Sequence, residues 1–111
     1  MGGMTVAQAT VDVERVRKLV EEELESRLGS EFKFGPVRVL EMRNVDDEPY
    51  LRVQILVHGD TSKPRLRKLA KGTIGLRASI EQKMAEQGAE LGMLLLPSYL
   101  KRAEWHAEAS A

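Results

Sequence analysis

The spacing of apolar residues predicts a helix near the start of the chain. From about Thr10 to Leu28, apolar positions recur at steps of three and four with glutamates between them, as on an amphipathic helix. Thr5 or Thr10 can cap the beginning of this helix with a side-chain oxygen. Gly29 follows it, and we expect this glycine to end the helix in the left-handed conformation that costs glycine little.

Two strands are expected after the first helix. Residues 32–44 alternate imperfectly, as a strand with a bulge does. Residues 50–58 alternate cleanly between apolar and polar positions. The residues expected to face the core are Leu51, Val53, Ile55 and Val57. Because residues 44–49 form a polar cluster typical of a turn, the sequence predicts an antiparallel hairpin.

The segment after the hairpin allows two structures. Apolar residues keep a helical spacing from Leu66 to Met84, so a single helix can run straight across Gly72 and Gly75, with Ile74 as a packing residue. Two glycines inside a helix cost about 1 kcal/mol each relative to alanine, so something must use them. They either let the backbone approach a neighbouring element or break the segment into two helices.

A third strand is expected near the C-terminus. The apolar run from Leu91 to Leu96 is short and is bounded by Gly92 and Pro97, which is typical of a strand. The element order is then α-β-β-α-β or, with a break at the glycines, α-β-β-α-α-β. Either order predicts an α+β fold in which a hairpin and a third strand pack against helices.

The chain length fits a single domain. We expect residues 10–100 to form it, with residues 1–9 frayed or disordered and residues 101–111 forming a tail in which Trp105 is the only large anchor. With 42% apolar and 31% charged residues, the composition is that of a globular protein.

Cysteine content and hydropathy indicate the cellular location that we expect. The sequence contains no cysteine, so we expect a reducing, cytoplasmic location without disulfides. No apolar run approaches the roughly 20 residues that cross a bilayer, and we expect no membrane association.

Charge is balanced overall but uneven along the chain. The 17 basic and 17 acidic residues cancel, which argues against coating nucleic acid by bulk electrostatics. Residues 1–60 carry twelve acids and eight bases, whereas residues 61–80 carry six bases and no acid. This basic segment is either a solvated helix face paired with the acidic first helix or a local surface for anions.

The order of elements and one short motif resemble a known family. The sequence G-x-x-G, Gly72 to Gly75, joins the fourth and fifth elements, as in the type II KH domain; length and topology are similar to the ribosome-binding factor A family. The resemblance covers about Val11 to Leu96 and implies a small RNA-binding or ribosome-associated protein whose G-x-x-G loop clamps the nucleic-acid backbone. The site residues that it implies are Arg67, Lys68, Lys71, Gly72, Thr73, Ile74, Gly75 and Arg77.

The sequence offers little for catalysis. The two histidines, His58 and His106, are far apart, and no metal-ligand spacing, nucleophile motif or phosphate-binding loop accompanies them. We therefore expect no catalytic residue, no metal ligand and no cofactor.

A second function class remains open. The chain can be a protein-interaction module without nucleic-acid binding, either a homodimer or the small partner of a two-protein system such as an antitoxin. Two surfaces are candidates for that contact, an exposed face of the second strand and an apolar end of the chain. They are the strand face of Tyr50, Arg52, Gln54 and Leu56, and the apolar end from Leu94 to Leu100.

Overall fold

The computed structural model describes residues 12–110, which form four helices and one three-stranded sheet. The elements are α1 (Val13–Leu28), β1 (Lys33–Arg43), β2 (Pro49–His58), α2 (Lys63–Gly72), α3 (Leu76–Glu86), β3 (Leu94–Leu100) and α4 (Arg102–Ser110). The N-terminus expected to be frayed, residues 1–9, lies outside the described residues. The predicted α+β fold is confirmed.

Both ends of α1 differ from expectation. Its N-cap is Asp12, whose carboxylate accepts the backbone N–H of Arg15 at 3.1 Å, whereas the predicted caps Thr5 and Thr10 lie outside the described residues. Gly29 has φ −61°, so the predicted left-handed stop is wrong. A Cβ on Gly29 would fall 2.5 Å from the carbonyl oxygen of Glu25, so the chain needs glycine here for space.

The predicted hairpin is confirmed, and β2 lies at the centre of the sheet. It pairs antiparallel with β1 and parallel with β3. A bulge lies in β1 where Gly35 and Pro36 stand opposite the single residue Leu56, whereas the pairing is regular between Val39 and Leu40, where the change of face predicted it. The four residues predicted to face the core from β2 are all buried.

The third strand is shifted from its predicted position. It begins at Leu94 rather than Leu91 and continues through Pro97 to Leu100. Because β3 is an edge strand, the missing N–H of proline does not interrupt the sheet when the nitrogen faces away from β2. The sequence prediction treated Pro97 as a boundary, which holds only for interior strands.

One face of the sheet carries the core. The main cluster joins α1 and α3 to β2, and a second cluster joins α2 to the end of α1. The main cluster includes Val16, Val20, Leu24, Val53, Ile55, Ile80 and Met84. The second consists of Leu28, Phe32, Val57 and Leu69.

The opposite face of the sheet is partly covered by α4. The guanidinium of Arg38 lies 3.9 Å from the ring centroid of Trp105 and donates to Gln54 Oε1 at 2.6 Å. Gln54 and Leu56 are buried. The prediction that this strand face is exposed is therefore wrong for these two residues, because the C-terminal helix packs over them.

Candidate nucleic-acid interface

The chain turns sharply between α2 and α3. Helix α2 ends at Gly72, α3 begins at Leu76, and the three residues between them form a turn. The alternative with two helices is therefore correct, and the element order is α-β-β-α-α-β before α4. A continuous helical spacing across the glycines did not mean a continuous helix.

The two glycines of the G-x-x-G segment are required for different structural reasons. Gly75 has φ +79°, the left-handed region that glycine adopts without strain. A Cβ on Gly72 would lie 2.7 Å from Leu28 Cδ2, so this glycine lets α2 approach the end of α1. Both glycines are thus explained by the fold, and neither requires a ligand.

The side chain of Thr73 points inward. It is 7% exposed, and its hydroxyl contacts the carbonyl oxygens of Leu69 and Ala70 and the hydroxyl of Tyr99. Burial raises the pKa of Tyr99, against the smaller lowering effect of its hydrogen bond to Thr73. A ligand at the turn could therefore reach only the backbone of Thr73.

Ile74 stands at the tip of the turn. Its side chain is 75% exposed, so the packing role that a continuous helix predicted for it is wrong. Gly75, next to it, is also exposed. An apolar side chain and a bare backbone segment therefore meet solvent together.

The basic residues predicted for the site divide into two groups. Arg67 and Lys71 are exposed, lie four residues apart on one face of α2, and have no ion-pair partner among residues 12–107, whose side chains the structure describes. Lys68 pairs with Glu31. Arg77 pairs with Glu81 at 3.2 Å and donates from Nε to the carbonyl of Met93. Two of the four predicted bases thus remain free for a ligand.

One further base of α2, Lys63, was not among the predicted site residues, although its spacing places it on the same helix face. Lys63 is exposed and lies four residues before Arg67, so three bases share the face of α2 that ends at the turn.

The first turn of α3 adds a second feature that favours anions. Gly75 is its N-cap and carries no side chain that could accept the first N–H groups of the helix. These groups and the helix dipole favour negative charge at this end.

The acids of α1 do not neutralise the basic segment. Glu14 and Glu21 both pair with Arg17 of the same helix. Glu23 pairs with Arg27 and with Lys83 of α3. The expectation of a basic face paired with the first helix therefore does not hold for Arg67 and Lys71.

A second surface lies at the far end of the sheet. Leu94 and Leu96 of β3 are 51% and 44% exposed, and Val45 at the hairpin tip is fully exposed. A groove of about 570 Å³ is lined by these two leucines and by Glu48 and Tyr50. The predicted apolar end of the chain is thus exposed in its first half, except for the buried Leu95.

Other site types find no support in the part of the chain that the structure describes. Over residues 12–110, no cluster of three His, Asp or Glu side chains could hold a metal ion, and no helix is both long and apolar enough to cross a bilayer.

Comparison of the chain with protein-family models, with curated proteins and with solved structures finds no match. The function is therefore inferred from the geometry of the two surfaces.

Proposed function

We propose that this protein binds RNA, as a small KH-like or ribosome-associated protein of the cytoplasm, and contacts the nucleic-acid backbone through the turn of residues 72–75. The exposed part of this site consists of Arg67, Lys71, Ile74 and Gly75. Lys68 and Arg77 flank it, each already in an ion pair.

One observation carries the proposal. The helices break at the G-x-x-G segment so that Ile74 and Gly75 are exposed at the end of a helix face with free bases. Lysine and arginine attract phosphates, and the uncapped start of α3 offers N–H groups to phosphate oxygens. None of the residues of the turn is itself aromatic, so recognition of the backbone is expected rather than sequence reading by stacking.

The test is binding of a labelled single-stranded RNA, an oligouridine of about eight nucleotides, measured by fluorescence anisotropy at several salt concentrations. Lys71→Glu should weaken binding about tenfold at low salt, because a phosphate contact becomes a repulsion, and should make the salt dependence shallower. Ile74→Asp should also weaken binding while leaving the fold intact, since this side chain is exposed.

Two matched variants control for the change of charge and for the loss of an exposed apolar side chain. Arg102→Glu makes the same kind of charge change at an exposed position on α4, and Leu96→Asp introduces the same acid at the other apolar surface. Both should bind RNA like the wild type. Equal losses in Lys71→Glu and Arg102→Glu would mean that only net charge matters and that the turn is not the site.

The groove at the end of the sheet favours a second candidate function, a homodimer. Leu94 and Leu96 are exposed on an edge strand without a single charged residue. The nearby Arg43 already pairs with Asp47 of the same hairpin at 3.7 Å, so the uncharged strand edge would meet its own copy across a twofold axis. A second copy of the chain is therefore the occupant that fits this surface.

Sedimentation equilibrium tests this candidate. If the groove is a dimer interface, Leu94→Lys should give a monomer where the wild type is dimeric, and Ile74→Lys, at a still more exposed apolar position, should leave the dimer intact. A wild type that stays monomeric at high concentration would refute self-association.

A further inference from the structure

Arg27, in the last turn of α1, holds the turn between α2 and α3. Its Nη1 donates to the carbonyl oxygen of Ile74 at 2.8 Å and lies 3.4 Å from that of Gly72. Its Nη2 donates to Ser79 Oγ in α3 at 2.8 Å. One side chain thus binds the end of α2, the turn and the first part of α3.

The side chain of Arg27 is itself held in place by Glu23. Its Nε donates to Glu23 Oε2 at 2.7 Å, and the other oxygen of Glu23 accepts from Lys83 at 2.8 Å. The Arg27 side chain is 24% exposed and the Glu23 side chain 12%. The guanidinium is therefore oriented by a carboxylate that a second base holds in place.

The contact with Ile74 sets the direction of one peptide group. In a planar trans peptide, the C=O and the following N–H point in opposite directions. Because the carbonyl of Ile74 points at Arg27, the N–H of Gly75 points away from it, on an exposed residue. Among residues 12–110 this N–H has no acceptor.

We infer that Arg27 is a positioning residue of the proposed RNA site: it orients the Ile74–Gly75 peptide so that the Gly75 N–H is presented to a phosphate oxygen. This inference rests on the proposed function. Arg27 makes no contact with the ligand in this arrangement, because four of its five N–H donors point to Glu23, Ser79 and the turn.

Lysine cannot replace arginine in this role. The guanidinium reaches acceptors on three elements with a planar, rigid set of donors, whereas an ammonium is a point charge on a flexible stem. Arg27→Lys therefore separates geometry from charge. Arg17→Lys is its matched control, because Arg17 lies on the same helix, bonds two glutamates and is remote from the turn.

The first measurement needs no RNA. In nitrogen-15 NMR spectra, Arg27→Lys should shift or broaden the amide signals of Ile74 and Gly75, and Arg17→Lys should leave them unchanged. Ser79→Ala, which removes one partner of Arg27, should give a smaller change in the same signals. This milder variant keeps the test valid should Arg27→Lys fold poorly.

The second measurement is the affinity for the oligouridine. Arg27→Lys should bind about three- to tenfold more weakly, because the competent turn is populated less often. The slope of affinity against salt should stay that of the wild type, since no phosphate contact is lost. A direct phosphate contact by Arg27 would make the slope in Arg27→Gln shallower by about 0.7 for single-stranded RNA.

The possible results separate the two claims. If the wild type binds no RNA, the proposed function fails. If the wild type binds RNA and Arg27→Lys binds equally well, or if Arg27→Gln lowers the salt slope, the positioning role fails and the proposed function stands. An unchanged Gly75 signal in Arg27→Lys also contradicts the positioning role.

Discussion

Gly72 and Gly75 show how two identical residues can be required for different reasons. Gly75 is needed for its backbone conformation, with open space where a side chain would go. Gly72 is needed because Leu28 occupies that space. The difference is invisible in the four-letter motif and decides how each position responds to substitution.

Alanine substitutions should separate these two reasons. Gly75→Ala should lower the free energy of unfolding by about 1 kcal/mol through backbone strain, and Gly75→Asn should cost less, since asparagine tolerates the left-handed region. Gly72→Ala should cost about 1–3 kcal/mol through overpacking against Leu28. Urea denaturation measures all three.

A double-mutant cycle provides the control. Leu28→Ala should relieve part of the cost of Gly72→Ala, so the two effects should not add, whereas Leu28→Ala and Gly75→Ala should be additive. Additivity in both cycles would contradict the contact between Gly72 and Leu28.

Thr73 gives the turn a polar anchor in the protein interior. Thr73→Val keeps the shape but removes the hydroxyl that meets Tyr99, which leaves the half-buried Tyr99 hydroxyl without this partner. We expect a loss of about 1–3 kcal/mol in the free energy of unfolding, measured by urea denaturation. In a Tyr99→Phe background the same substitution should cost less; an equal cost would show that the pair does not form.

At the scale of elements, the sequence predicted every helix and strand of the main domain but not every boundary. Apolar periodicity predicted α1, β1 and β2 because each presents an apolar face to the core, although β2 is buried on both faces from Val53 to Val57. It could not tell one helix from two across residues 72–75, because the same apolar positions serve the core in both cases. The start of β3 and the packing of α4 depend on partners far away in the chain.

The same limit applies to the candidate site. The basic segment and the two glycines were visible in the sequence, whereas the burial of Thr73 and the ion pairs of Lys68 and Arg77 were not. Arg27 gave no signal at all, because it lies about 45 residues from the turn that it contacts. The apolar pattern of a single sequence does not show which distant segments contact each other.

The docking of α4 on the sheet can be followed through the single tryptophan of the chain. Arg38→Met removes the guanidinium from the ring of Trp105 and a hydrogen bond from Gln54. Tryptophan emission should move to longer wavelength as α4 loosens, and the free energy of unfolding should fall by about 1–3 kcal/mol. Arg43→Met, on the same strand, should change neither; an unchanged emission in Arg38→Met would contradict this packing.

At the scale of the whole molecule, Glu23 links α1 to α3 and so ties the stability of the fold to pH. Hydrogen bonds from Lys83 and then Arg27 lower the pKa of this carboxyl group. The unfolded chain therefore takes up a proton at higher pH than the folded chain does. The contribution of the ion pairs is complete above the ordinary carboxyl pKa and is lost as pH falls through the lowered pKa of the folded state.

Glu23→Gln should measure this contribution. At neutral pH we expect the variant to be less stable than the wild type by about 1–2 kcal/mol, because two charge-assisted hydrogen bonds are weakened. The difference should shrink as pH falls through the acid range, in urea denaturation at a series of pH values. Glu22→Gln, at the exposed neighbouring position, should show no such trend. A difference independent of pH would contradict the linkage.

The proline in β3 also bears on whether copies of this protein aggregate through the edge of the sheet. The strand reads Leu-Leu-Leu-Pro-Ser-Tyr-Leu. With another residue in place of Pro97, it would be a seven-residue, mostly apolar segment of high strand propensity and no charge, which is the composition of amyloid-forming sequences. Proline withholds one N–H in the middle of the row that an incoming strand would need. The open edge of the sheet can therefore stay rich in leucine, while copies of the chain are hindered from adding to one another strand by strand.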